Sequence, residues 1–218
     1  MTQTDPMNAP HINQLANRPG LSGRVILVHG FNVRDGGKGS TDGLRSHFEG
    51  AGFTVAEFDT GWRFLAGIRW GNAKQARRLA RIIRPGDLLV GHSDGCNLIN
   101  LASWHLSGSS LKKPAAVVYL NPALDRDTQL APQIVGALVF ATRTDRIVQV
   151  ASWLRWHPWG DMGRVGYRDE PIYQDGRYTN TAYEHLGILR AGHSGAFLRP
   201  DYLRRIFVRI QLFIQSLD

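Results

Sequence analysis

Residues 88–97, LLVGHSDGCN, decide the fold of this chain. A short apolar run, typical of a buried strand, leads directly into Gly-x-Ser-x-Gly, and a helical pattern follows it. A strand that reverses into a helix within a few residues holds Ser93 at the tip of a strained turn. Gly91 and Gly95 flank this tip, where a Cβ atom would crowd the neighbouring strand and helix. The order of strand, turn and helix therefore predicts that Ser93 is a nucleophile.

Length and composition indicate one globular domain. The chain has 218 residues, of which 43% are hydrophobic and 20% charged, values typical of a folded protein with a sizeable core. A single cysteine, Cys96, cannot form an internal disulfide. Residues 1–20 lack the basic start and apolar run of a signal peptide, and no segment is long enough to span a bilayer. We therefore expect a cytoplasmic location, with export by another route left open.

Apolar runs of buried-strand type alternate with helical patterns along the chain. The predicted strands are 24–29, 53–58, 88–91, 115–120, 136–142 and 178–183. The predicted helices are 42–50, 69–84, 97–106 and a C-terminal helix from 201 onward. Strands separated by helices form a parallel sheet that is covered on both faces. We expect a three-layer α/β/α sandwich with a mostly parallel sheet, in which residues 1–22 are a flexible arm and 23–218 the domain.

The chain is strongly basic, with a net charge of +8 and a sequence pI near 10.1. Such a surface favours an anionic surface or polymer as a partner. The sequence lacks zinc-ligand pairs, aromatic strand motifs and basic zippers, so we expect no specific nucleic-acid binding. The predicted helix 69–84 carries a basic stripe, Lys74, Arg77, Arg78 and Arg81. We expect the stripe to be solvated and another face of this helix, which includes Trp70, to pack in the core.

Two further residues match the chemical needs of Ser93. A neutral serine hydroxyl is a poor nucleophile, so it needs a base, and the base needs an acid that orients it. Side chains of a doubly wound sheet meet at the carboxyl ends of its strands. Asp145 follows the fifth predicted strand, and His193 lies in a glycine-flanked loop before the last helix. Asp125 and Asp127, which follow the preceding strand, are alternative acids.

With these features the chain resembles the α/β-hydrolase superfamily, in particular serine esterases and lipases with a small, cutinase-like core. The resemblance runs from about residue 24 to the C-terminus and is carried by His29-Gly30-Phe31, Gly91-His92-Ser93-Asp94-Gly95, Asp145 with Val148, and Gly192-His193. It implies that Ser93 is the nucleophile, His193 the general base and then acid, and Asp145 the orienting acid. It also implies an oxyanion hole formed by the backbone N–H groups of Phe31 and Asp94, and chemistry that needs no cofactor.

The chain departs from this family pattern in two places. No predicted strand precedes residue 24, so the sheet is short at its N-terminal edge. The long gap between Asp145 and His193 implies an insertion before the histidine. Segment 153–180 in this gap is a candidate lid over the substrate pocket, with burial of its tryptophans against the sheet as the alternative. The tryptophans concerned are Trp153, Trp156 and Trp159.

The expected function is that of a serine hydrolase that cleaves a carboxylic ester through an acyl-enzyme on Ser93. A thioester or an amide stays open, because the same machinery cleaves all three bonds. The expected substrate is a small-molecule or lipid-like ester. The alternative is a non-catalytic binding protein that keeps this fold and engages an anionic partner through its basic surface. No cluster of histidine, cysteine and carboxylate residues has metal-ligand spacing, so we expect no metal site.

Overall fold

The computed structural model describes residues 12–31, 33, 37, 39–61, 65–108, 113–153, 157–168, 175–189 and 191–217. Six strands form one sheet: β1 (Arg24–Val28), β2 (Thr54–Phe58), β3 (Leu88–His92), β4 (Ala116–Leu120), β5 (Gly136–Ala141) and β6 (Tyr178–Ala182). The helices are α1 (Arg45–Gly50), α2 (Ile68–Ile82), α3 (Asp94–His105), α4 (Arg146–Trp153), α5 (Met162–Val165) and α6 (Pro200–Gln215). Short 3₁₀ segments, among them Ile12–Asn17 and Tyr183–Leu186, connect several of these elements.

The sheet has the order β2-β1-β3-β4-β5-β6, and all of its strand pairs are parallel. Every residue of β3, β4 and β5 is buried, as is typical of parallel strands covered on both faces. No strand precedes Arg24 in the described part of the chain. The order places the carboxyl ends of β3, β4 and β5 side by side at one edge.

Helices cover both faces of the sheet and produce the three-layer arrangement. Successive residues of β1 point to opposite faces, so Leu27 joins one apolar cluster and Val28 the other. Helices α1 and α6 cover the first face, and α2 and α3 cover the second. The inner row of α6 consists of Leu203, Ile206, Phe207, Ile210, Phe213 and Ile214. Burial of each such side chain contributes about 1.5–3 kcal/mol. The predicted α/β fold is thereby confirmed, and its sheet is entirely parallel.

One core assignment from the sequence is wrong. Trp70 is 86% exposed, although we expected it in the core face of its helix. The buried face of α2 includes Ile68, Asn72 and Leu79. Trp70 lies two residues from both Ile68 and Asn72, which turns its side chain about 200° away from them. In the described residues, no helix combines the length and apolarity that a membrane span needs.

A buried ion pair joins β1 and β3 at the ends where these two strands begin. The carboxylate of Asp87, just before β3, pairs with the guanidinium of Arg24 at the start of β1. The same carboxylate accepts hydrogen bonds from the Ser22 hydroxyl, at 2.8 Å, and from the backbone N–H of Arg84, at 2.7 Å. Three residues, from the segments on either side of the pair, therefore donate to one buried anion, which fixes β1 against β3.

We predict that Asp87→Ala lowers the free energy of unfolding by about 3–5 kcal/mol, because it leaves the Arg24 guanidinium largely buried without its counter-charge. Urea denaturation followed by circular dichroism measures this change. The matched control is Asp201→Ala, which removes an exposed ion pair with Arg199 and should change stability by no more than about 1 kcal/mol. Equal stabilities of the two variants would contradict a structural role for the buried pair.

Candidate active site

The turn between β3 and α3 holds Ser93 in a backbone conformation that only glycine adopts easily. Ser93 has φ 55° and ψ −123°, so its side chain stands out from the turn. A Cβ atom on Gly95 would lie 2.3 Å from the carbonyl oxygen of Val28. One on Gly91 would lie 3.0 Å from the backbone nitrogen of Cys96. The two glycines thus allow β3 and α3 to pack closely enough to maintain the turn.

His193 and Asp145 form a hydrogen-bonded pair at the same sheet edge. The Nδ1 atom of His193 lies 2.9 Å from Oδ2 of Asp145, whose side chain is fully buried. Oδ1 of Asp145 accepts the backbone N–H of Val148 in the first turn of α4, at 2.9 Å. Burial tends to raise the pKa of Asp145, but the hydrogen bond and charge of His193, with the Val148 N–H, hold this pKa below its usual value. A carboxylate that accepts from Nδ1 leaves Nε2 of the imidazole available as a base.

Asn121, which directly follows β4 and which the sequence analysis did not identify as a site residue, anchors this pair. It is fully buried and has a positive φ of 48° at the carboxyl end of β4. Its Nδ2 donates to Oδ2 of Asp145, at 2.9 Å, and to the carbonyl oxygen of Gly192, at 3.1 Å. Its Oδ1 accepts the hydroxyl of Tyr183, at 2.9 Å. The sequence feature that could have identified Asn121 is its position as a polar residue at the end of a fully buried strand, since such positions face the site in doubly wound sheets.

His92 holds the loop of His193 from the other side. Its Nε2 donates to the carbonyl oxygen of His193, at 2.9 Å, and the two rings lie 4.7 Å apart. Burial, and then the proximity of the His193 charge, lowers the pKa of His92 to about 3. His92 is therefore a neutral donor at physiological pH. The Oγ1 atom of Thr144 accepts the backbone N–H of Gly192, at 3.3 Å, so the loop is bonded on both sides of its histidine.

Ser93 and His193 line one cavity of about 590 Å³. In the described residues no hydrogen bond joins the two side chains, a common state of catalytic groups without a substrate. The lining residues are Gly30, Phe31, Val33, Gly39, Ser40, His92, Ser93, Asp94, Ala123, Ile147, Val148, Ala151, Trp159, His193 and Ser194. A Cβ atom on Gly30 would lie 3.2 Å from Cβ of Ser93, so this glycine lets the loop with Phe31 pass close to the serine.

Asp94 and Trp159 brace the wall beside Ser93. Oδ1 of Asp94 accepts both Nδ2 of Asn72, from α2, and Nε1 of Trp159, each at 2.8 Å. The indole of Trp159 also packs edge-on against Phe31, with ring centroids 5.7 Å apart. The two residues predicted for the oxyanion hole, Phe31 and Asp94, therefore lie on one side of the cavity and are linked through Trp159.

The three tryptophans of the predicted lid segment do not share one environment. Trp159 belongs to the cavity wall, whereas Trp153, the last residue of α4, is 68% exposed. Trp156 lies outside the described residues. Part of segment 153–180 therefore contributes to the pocket itself, and its role as a lid stays a prediction.

The alternative acids do not contact the histidine. Among the described residues the Nδ1 partner of His193 is Asp145, and Asp125 and Asp127 make no bond to it. Burial, and then the charges of Asp127 and Asp161, raises the pKa of Asp125. The geometry favours Asp145 over both alternatives. Within the described ranges, no group of three or more histidine, cysteine or carboxylate side chains could hold a metal ion.

Comparison with solved structures finds similar chains. One is the crystal structure of a Pectobacterium atrosepticum SCRI1043 protein described as a "putative yden-like hydrolase". The two chains share 17% identity with a TM-score of 0.46, over 89% of this chain and 91% of that one. Comparison with family models and with curated proteins gives no match. The assignment of a function therefore rests on the geometry of the site.

The buried neutral His92 predicts a specific pH dependence of stability. Between its ordinary pKa of 6.5 and its native pKa of about 3, the unfolded chain binds a proton at His92 that the native protein does not. The free energy of unfolding therefore falls as the pH decreases through this window, by about 1.4 kcal/mol per pH unit from this group. Urea denaturation at several pH values should show a shallower decrease for His92→Gln than for the wild type. Parallel decreases would contradict a neutral His92.

Proposed function

We propose that this protein is a serine hydrolase that cleaves a carboxylic ester through an acyl-enzyme. The observation that carries the proposal is the hydrogen bond between His193 and Asp145 at a cavity that also contains Ser93 in its strained turn. Nucleophile, base and orienting acid are the three groups that acyl transfer requires. A purely binding protein has no need of this combination.

The reaction follows from the roles of the three residues. Oγ of Ser93 attacks the ester carbonyl carbon while Nε2 of His193 takes the hydroxyl proton. The tetrahedral intermediate collapses, and the alcohol leaves with the proton held by His193. Water then attacks the acyl-enzyme with His193 again as the base, which releases the acid and restores Ser93. Asp145 remains ionised throughout and stabilises the imidazolium that forms twice per cycle.

Backbone N–H groups stabilise the negative oxygen in this proposal. Asp94 is the first residue of α3, so its N–H points out of the helix N-terminus, where the helix dipole is positive. Phe31 lies in the loop that Gly30 brings against Ser93. Each donor of this kind contributes about 2.7–4 kcal/mol to the stabilisation of the transition state. Asn72 and Trp159 support the arrangement because they fix the side chain of Asp94.

The cavity favours an apolar, uncharged substrate. Its lining includes aliphatic side chains from the loops after β1 and β4 and from α4, and a volume of about 590 Å³ lies in the range of sites for small ligands. The aliphatic residues are Val33, Ala123, Ile147, Val148 and Ala151. Among the described lining residues the ionisable side chains are His92, Asp94 and His193, all engaged in the site itself. An ester with a medium-length acyl chain fits this environment.

We predict that a fluorophosphonate probe labels the wild type and that Ser93→Ala abolishes labelling, because the probe reacts with an activated serine. Turnover of p-nitrophenyl esters should fall on the order of 10⁶-fold in Ser93→Ala. The matched control is Ser194→Ala, which alters another serine of the same cavity and should still be labelled. A series of acyl lengths should show higher kcat/KM for medium chains than for acetate. Absence of labelling and of turnover at every acyl length would contradict the proposal.

We predict that Asn121→Ala lowers kcat/KM about 10- to 100-fold, since it removes a buried hydrogen bond to an ionised carboxylate. Loss of this donor should also raise the pKa of Asp145 towards its ordinary value. Tyr183→Phe is the control, because it removes only the bond to Oδ1 of Asn121 and should have a smaller effect. A kcat/KM equal to that of the wild type would contradict this role, and a loss that thermal melting traces to unfolding would mean that Asn121 acts through folding alone.

A further inference from the structure

Helix α2 presents a row of cations and one tryptophan on its outer face. Trp70, Lys74, Arg77 and Arg81 are exposed and follow the spacing i, i+4, i+7 and i+11, which places them on one side of the helix. The residues from 65 to 84 include six basic residues and no acidic one. The basic residues are Arg69, Lys74, Arg77, Arg78, Arg81 and Arg84. The tryptophan that we expected in the core lies in line with the cations.

This composition differs from that of an ordinary solvated helix face. Exposed helices are usually stabilised by opposite charges at i, i+4, whereas like charges at this spacing destabilise them. Lys74 and Arg78 are such a like-charged pair, as are Arg77 and Arg81. Arg78 bonds to the neutral Oε1 of Gln75 and lies over the ring of Phe58. Residues 65–84 thus contain like-charged neighbours and no carboxylate.

The fold fixes this row in place. The opposite face of α2 is buried, with Ala76, Leu79 and Ala80 in the apolar cluster that α2 shares with α3. Asn72 ties the start of the helix to Asp94, at 2.8 Å. The eleven-residue step from Trp70 to Arg81 spans about 17 Å along a straight helix. A preformed row of this length needs no ordering when it meets a partner.

We propose that this face of α2 docks the protein on an anionic lipid bilayer. Clustered Lys and Arg side chains bind acidic headgroups, and an exposed indole is favoured at the level of the headgroups. Trp70 is 86% exposed, and Leu65, in the turn just before α2, is 45% exposed. The row thus combines cations for the headgroups with an exposed indole at one end. This proposal does not depend on the hydrolase activity.

A nucleic acid fits the same face less well. Proteins that follow a single strand use a basic groove, whereas α2 offers one convex side of a helix that is packed on the other. A second copy of this chain would oppose cations with cations. The bilayer is the partner that uses both the charges and the apolar end.

Vesicle co-sedimentation tests the proposal, in a Ser93→Ala background so that lipid hydrolysis plays no part. We expect binding to phosphatidylcholine vesicles that contain phosphatidylserine, weak binding to phosphatidylcholine alone, and a loss of binding with added salt. Lys74→Gln with Arg77→Gln should weaken binding about 30-fold. Trp70→Ala should weaken it further. Thermal melting verifies that each variant is folded.

The control is Lys113→Gln with Arg204→Gln, which removes the same two charges from exposed positions outside α2. It should retain nearly all binding. Equal losses in both double variants would overturn the proposal, because binding would then follow net charge rather than this face. Binding to both kinds of vesicle alike would also overturn it. Tighter, α2-dependent binding to a single-stranded RNA oligomer than to vesicles at the same salt would assign the face to nucleic acid instead.

Discussion

The left-handed backbone of Ser93 is the constraint on which the rest of the site depends. A non-glycine residue with φ 55° and ψ −123° is strained by about 1–3 kcal/mol, so the surroundings must impose the conformation. They do so through close packing: Gly91 and Gly95 have no room for a side chain between β3, α3 and β1. The strain keeps the hydroxyl at the cavity, where a relaxed turn would not hold it.

A polar network around Asp145 brings together residues that are far apart in the chain, at the cavity that Ser93 lines. Oδ2 of Asp145 receives both the imidazole of His193 and the amide of Asn121, and Oδ1 receives the N–H of Val148. A buried carboxylate with all these donors stays ionised and immobile. Neutral His92 then completes the site, since a charged ring at that depth would repel the imidazolium of the proposed reaction.

Part of the positive charge of the chain lies on one exposed face of helix α2. A net charge of +8 spread evenly over the surface would serve solubility. On α2, however, cations line up with the exposed Trp70, and the buried face of the same helix contacts the candidate active site through the bond from Asn72 to Asp94. The average composition of the chain does not reveal this difference between the two faces of one helix.

The sequence by itself determined the alternation of strands and helices and the turn at Ser93, because each is a local pattern of backbone preferences. It offered His193 as the expected base and Asp145 as the expected acid, with Asp125 and Asp127 as alternatives. Only the tertiary structure decided that Asn121 supports Asp145, that Trp159 lines the cavity, and that Trp70 faces outward. The first two rest on contacts between residues far apart in the chain. The orientation of Trp70 depends on which side of α2 meets the sheet. No short stretch of residues specifies these contacts or this orientation.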